Sequence, residues 1–149
     1  MLRVLRYLWV LPVTLLGVLI ALVSRGSGGS LQRVEGVLEV AGGWPAGVLR
    51  RGFPFSGAVA ALTLGHVVVG VSLNALTATR AHERAHVRQF ERWGVLLLVL
   101  YPLAGLLAWV RGGNPYRDNL FEREARAAES VARSEPTRPS SGRTHSPGR

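Results

Sequence analysis

Charge is absent from three long stretches of this chain, residues 7–24, 52–79 and 93–110, and any fold it adopts must bury them or place them in lipid. The first stretch is 18 residues rich in Leu and Val. As a helix it would extend about 27 Å, close to the hydrocarbon thickness of a bilayer. Arg3 and Arg6 precede it, so the positive-inside rule keeps the amino terminus cytoplasmic. Residues 1–24 therefore read as an uncleaved membrane anchor. A cleaved signal peptide is the rival, but Ala21-Leu22-Val23-Ser24-Arg25 lacks the small-x-small cleavage pattern. Residues 25–30, Arg-Gly-Ser-Gly-Gly-Ser, have the composition of a flexible linker.

Residues 52–79 are long enough for a second span, yet Pro54, Ser56, Thr63, His66, Ser72, Asn74 and Thr77 make the stretch too polar for one. Its segments 59–64 and 67–71 are apolar, the second β-branched, and Gly65-His66 separates them, which predicts a β-hairpin. Upstream, residues 31–40 nearly alternate between apolar and polar. They read as one short strand, followed by a turn-rich loop at Gly42, Gly43, Pro45 and Gly47. In residues 93–110, Pro102 and Gly105 lie near the middle. A break there would turn the run into two short halves whose ends, Arg92 and Arg111, meet at one surface.

Residues 78–93 hold charge and Ala without Gly or Pro, so they predict a helix that stops at Gly94. A last amphipathic helix is expected over residues 120–132, with Asn119 as its cap. Residues 134–149, mostly Ser, Pro, Thr, Gly and Arg, lack the apolar residues that would offset their ordering entropy and read as a disordered tail. The expected architecture is α+β: a membrane helix, then a small domain over residues 31–133 containing a short hairpin or small sheet and three helical segments.

The chain has no Cys, which removes thiol catalysis, Cys-ligated zinc and iron-sulfur clusters and leaves His, Asp and Glu as strong metal ligands. His82-Glu83-Arg84-Ala85-His86 fits H-E-x-x-H. Positions i and i+4 share one helical face, so both imidazoles can reach one zinc, and Glu83, roughly 100° round, can address water at that ion. A surface helix with two incidental His is the plain alternative. Arg80, Arg84, Arg88 and Arg92 form an i, i+4 stripe on the opposite side, suited to water or lipid phosphate. A catalytic zinc needs a third protein ligand, and Asp118, Glu122, Glu124 and Glu129 are on offer downstream.

His82 to His86, the following Val87-x-Gln89 and the later Glu122-x-x-Ala125 resemble the gluzincin zinc peptidases, in particular the membrane-bound HtpX and CAAX-prenyl-protease type. Residues 63–127 are similar, more closely, to small uncharacterised bacterial membrane proteins that carry His-Glu-Arg-x-His-Val-x-Gln, Arg-Trp-Gly and Asn-Pro-Tyr-Arg-Asp-Asn-x-Phe-Glu-Arg-Glu-Ala. The resemblance implies zinc on His82, His86 and Glu122, with Glu83 as general base. One position departs from it: Arg126 stands where gluzincins usually carry an Asp that can orient a zinc-binding His, which leaves that supporting role unassigned.

Helical spacing supports Glu122 over Glu124, because the two lie about 200° apart and Glu122 neighbours Phe121 and Ala125. Asn119-x-x-Glu122 is also a capping-box pattern, in which Glu122 would bond to backbone instead. His66 fits a turn or core histidine best, and Tyr116 is a weak candidate for an oxyanion donor.

These features predict a membrane-anchored zinc peptidase that cleaves peptide bonds with metal-activated water. The rival is a membrane scaffold or adaptor holding a structural metal or none, and a third possibility is a lipid-surface binder. The net charge of +9 comes from 18 Arg against 9 acids. Because many Arg residues flank apolar runs and no nucleic-acid module is recognisable, anionic lipid is the expected partner beside a peptide substrate, and nucleic acid is not. A single anchor with a cytoplasmic amino terminus would put the site outside the cytoplasm; a spanning 52–79 would put it inside.

Overall fold

The computed structural model describes residues 2–54 and 56–134, with side chains from residue 8 onward. The expected tail beyond Ser134 lies outside the described residues. The elements run α1 (Leu2–Gly26), β1 (Ser30–Val34), β2 (Val37–Ala41), α2 (Gly43–Arg51), β3 (Ala61–Leu64), β4 (Val67–Gly70), α3 (Leu73–Trp93), a 3-10 turn (Gly94–Leu96), α4 (Leu97–Val110) and α5 (Leu120–Ser134). The architecture is α+β.

The four strands form one mixed sheet in the order β1-β2-β4-β3, with β2 and β4 parallel and the other neighbours antiparallel. Alternation along each strand sends side chains to two covered faces. Val67 and Val69 pack with Val40, Ala21 of α1 and Leu49 of α2, whereas Val68 packs with Val37, Ala41, Ala61 and, from α3, Leu76 and Val87. β4 is buried on both faces, which accounts for the absence of charge in residues 67–70. The expected hairpin is present, with Gly65 at φ 63° opening its two-residue turn.

Four local expectations need correction. Residues 31–40 hold two paired strands, because Glu35 and Gly36 adopt φ 49° and 83° and make the tight turn of a hairpin. Residues 43–51 form a helix, with Pro45 tolerated in its first turn. The supposed linker is a fixed turn: Gly29 N donates to Ser24 O at 2.7 Å, and Ser24 Oγ donates to Gly42 O at 2.9 Å. Finally, α4 runs unbroken through Pro102, losing one backbone donor, and the break falls at Gly94.

Gly94 has φ 56° and ψ −139°, a conformation side chains strongly disfavour, and the chain reverses there. In a continuous helix the rings of His86 and Tyr101 would be about 22 Å apart; their centroids lie 6.3 Å apart. Thus residues 73–110, apolar and long enough to qualify as a span by composition, form a helical hairpin. α1 is itself long and apolar enough to cross a membrane. It buries Val10, Val13, Ala21 and Ser24 against the domain and exposes Leu8, Leu15, Leu19 and Leu22. α4 likewise exposes Val99, Leu103, Leu107 and Val110.

Candidate metal centre

α3 and α5 lie side by side, and Asn119 fixes where α5 begins. Its Oδ1 accepts from Phe121 N at 3.0 Å and its amide donates to Tyr101 O at 3.0 Å. The capping role open to Glu122 is thus not what its side chain does. Its carboxylate turns onto α3, where His82 and His86 share one face and Glu83 lies about 100° round from His82.

Three donor sets converge there. His82 Nε2 lies 3.1 Å from His86 Nε2. His86 Nε2 is 3.2 Å from Glu122 Oε1, and His82 Nε2 is 3.4 Å from Glu122 Oε2. Tetrahedral zinc with bonds of about 2.0–2.1 Å has donor-donor edges of about 3.3 Å, which these separations approach. Glu122 Oε2 is buried with no hydrogen-bond partner, and such an atom is costly unless a cation or donor satisfies it. The residues present therefore fit a divalent metal.

The outer nitrogens agree with that assignment. Gln89 Nε2 donates to Phe121 O and Glu124 Oε2, both at 3.0 Å, so its Oε1 is the atom 2.9 Å from His86 Nδ1. An oxygen there accepts the Nδ1 proton and leaves the Nε2 lone pair for the shared site. Glu124, the rejected ligand candidate, is engaged by Gln89, away from the His pair. Asp118 accepts from Asn114 N at 2.7 Å within the loop before α5. Glu129 approaches His82 from its Nδ1 side at 3.6 Å. Among the described residues, the cluster that can hold a metal is His82, His86 and Glu122.

Glu83 is buried, and its Oε2 accepts from Thr63 Oγ1 of β3 at 2.6 Å. Burial pushes its carboxyl up, against the pull of His86 and the Thr63 hydrogen bond. Burial also works against charge on Glu122, but its close neighbours His82, His86 and Tyr101 hold its carboxyl well below the usual range. Tyr101 Oη donates to Glu122 Oε1 at 2.7 Å. Half-buried Tyr116 is pushed up to about 12 by burial and the Glu122 charge, so its hydroxyl stays a donor at neutral pH.

The centre opens into a cleft of about 700 Å³ lined by β3, by Phe53, Pro54 and Val59, and by Leu98, Leu106, Trp109 and Tyr116. β3 is the last strand in the sheet order, and its residues line this cleft. His66 does not join the centre. It sits in the β3–β4 turn with Nε2 3.2 Å from Glu91 and Nδ1 3.4 Å from Thr14 Oγ1. The Arg stripe of α3 divides: Arg80 donates twice to buried Glu39 at 2.9 and 3.0 Å, and Arg84 donates to Val34 O at 2.5 Å. Those two guanidiniums therefore serve the sheet and not a lipid surface, a correction to the expected role of the stripe; Arg88 and Arg92 are exposed.

Thr63 and Tyr101 escaped notice in the sequence. Their only signal was a hydroxyl inside an otherwise apolar run, where it needs a partner once buried. The chain matches no protein-family model, no curated protein and no solved structure.

Proposed function

We propose that this protein is a membrane-associated, zinc-dependent peptide-bond hydrolase of the gluzincin-like kind its motifs resemble. The observation that carries this is the convergence of three metal-ligating side chains, beside a buried carboxylate, at the wall of an open cleft. Three protein ligands suit a catalytic zinc, which keeps a fourth position open, better than a closed structural site.

His82, His86 and Glu122 would hold the ion. When bound, zinc supplies Lewis acidity, polarising a carbonyl and lowering the pKa of water. Glu83, fixed by Thr63, takes the proton from the attacking water and passes it to the leaving amine. Tyr116 faces the same cleft and donates to the oxygen on which negative charge develops. An extended peptide can pair with the free edge of β3, as strand addition allows, setting its backbone across the centre. Leu98, Leu106 and Trp109 favour substrates with large apolar side chains beside the scissile bond.

Membrane association is supported by the exposed Leu and Val faces of α1 and α4. Arg25 ends α1 and Arg111 follows α4, where they can meet anionic headgroups.

The test compares purified wild type in bilayer discs with a His82→Ala, His86→Ala variant, measuring bound metal and cleavage of a fluorogenic peptide library. Near-stoichiometric zinc and cleavage in the wild type, both lost in the variant, are expected. Folded wild type without metal affinity overturns the proposal, and tight zinc without cleavage favours the scaffold.

A further inference from the structure

The resemblance to gluzincins breaks at position 126, where an Arg replaces the carboxylate that usually orients a zinc-binding His. The structure shows what Arg126 does instead. Its Nη1 lies 3.6 Å from Glu122 Oε2 and its Nη2 donates to Arg117 O, so it stands over the ligand carboxylate and binds the loop before α5. It has no part in holding either imidazole.

Three residues further along α5, just under one turn, Glu129 places Oε2 3.6 Å from His82 Nδ1. The two ring nitrogens of His82 point different ways. Nε2 faces His86 and Glu122, and Nδ1 faces Glu129. Glu129 is thus on the wrong side to bind an ion held by Nε2, and on the right side to fix the ring. Its other oxygen, Oε1, accepts from Arg133 Nη2 at 2.5 Å, which leaves Oε2 turned toward the imidazole. His86 has the matching support from Gln89 on its own Nδ1.

We propose that Glu129 is the positioning residue of His82, taking over from a new place on α5 the role that Arg126 vacates. Its carboxylate, at ion-pair distance from Nδ1, favours the proton on that nitrogen, keeps the Nε2 lone pair for the shared site, and raises the basicity of the ligand nitrogen. With Gln89 accepting from His86, each imidazole then has a partner on its Nδ1 side. The assignment rests on the zinc reading above.

Metal binding tests it, with zinc and cobalt as probes and without recourse to activity. Zinc affinity by chelator competition is expected to fall about 10- to 100-fold in Glu129→Ala. Glu129→Gln, whose amide oxygen can still accept from Nδ1 but lacks charge, should fall between it and the wild type. Arg133→Ala removes the exposed partner without touching His82 and should bind zinc as the wild type does. In the cobalt-loaded proteins, the visible absorption band should change in the two Glu129 variants and stay put in Arg133→Ala, while thermal unfolding of the metal-free proteins stays the same. Unchanged zinc affinity in Glu129→Ala, or equal losses in Glu129→Ala and Arg133→Ala, overturns the proposal. If the wild type itself binds no zinc, the underlying metal site fails first, which is a separate outcome.

Discussion

Tyr101 and Glu122 are joined by a hydrogen bond of 2.7 Å that ties α4 to the ligand helix. The phenol occupies Oε1 and leaves Oε2 without a hydrogen-bond partner. Tyr101→Phe should therefore keep the fold and weaken zinc binding by about 10-fold, the usual scale for losing an outer partner of a ligand. Glu122→Gln should weaken it far more, and Glu124→Gln should leave it within a few-fold. Chelator competition on the three variants checks the order; equal losses at positions 122 and 124 would refute the ligand assignment.

Glu83→Gln should retain zinc and lose hydrolysis by about 10²-fold or more, because the amide keeps the shape but cannot take a proton. Thr63→Val, which removes the 2.6 Å hydrogen bond to Glu83, should lower kcat with little change in zinc content. Metal analysis beside steady-state kinetics separates the two effects. Loss of zinc in Glu83→Gln would make that residue a structural element instead of a base.

Tyr116→Phe removes one donor from the cleft, and because that hydroxyl lies beside Glu122 its zinc content is measured with the kinetics. A fall of about 10²-fold in kcat with KM nearly unchanged is expected if the hydroxyl stabilises developing charge. A pure KM effect would assign Tyr116 to substrate binding.

Gly94 is where the helical hairpin turns, and a Cβ there would sit 2.3 Å from Trp9 Nε1. Gly94→Ala combines that clash with an unfavourable backbone conformation, so it should cost about 2 kcal/mol or more. Thermal unfolding in detergent measures it. Because Tyr101 reaches Glu122 only through this reversal, zinc affinity should fall as well. A variant as stable as the wild type would mean that the turn is not fixed by Gly94.

Acid sensitivity should trace in part to Glu39. Burial opposes its charge, but hydrogen bonds from Arg80 and Gln32 outweigh that and lower its carboxyl below the usual range. A carboxylate whose pKa falls on folding adds stability above its ordinary pKa, and that contribution drains away as pH falls through the folded value. Glu39→Gln should be less stable than wild type by about 2 kcal/mol at neutral pH, and the gap should close below a pH of about 4. Unfolding curves at pH 7 and pH 3 decide it; a gap independent of pH would refute the ion-pair account.

The juxtaposition of His82, Glu83 and His86 was legible in the sequence because a single helix presents them, so their spacing is their geometry. Glu122 was legible through the motif and the helical wheel of α5. Thr63 and Tyr101 were not, since each reaches the centre only through tertiary placement, one by the edge position of β3 and the other by the reversal at Gly94. Pro102 misled for a related reason: a proline removes one hydrogen bond, whereas Gly94 alone permits the backbone angles that turn the chain. Glu35 hid the first hairpin, because Glu is an unusual residue at positive φ, and the Gly-Gly-Trp-Pro opening of α2 looked like loop.

The turn between α1 and β1 fixes a height. Six residues of free tether would let a domain wander by about 13 Å from its anchor. Here Ser24 is bonded to both Gly29 and Gly42, and Gly17 lies so close to β4 that an added Cβ would meet Val67 Cβ at 2.7 Å. The helix is therefore packed and hydrogen-bonded into the domain and is not strung beside it. In a bilayer the His82, His86 and Glu122 group would then stand at one depth and one tilt.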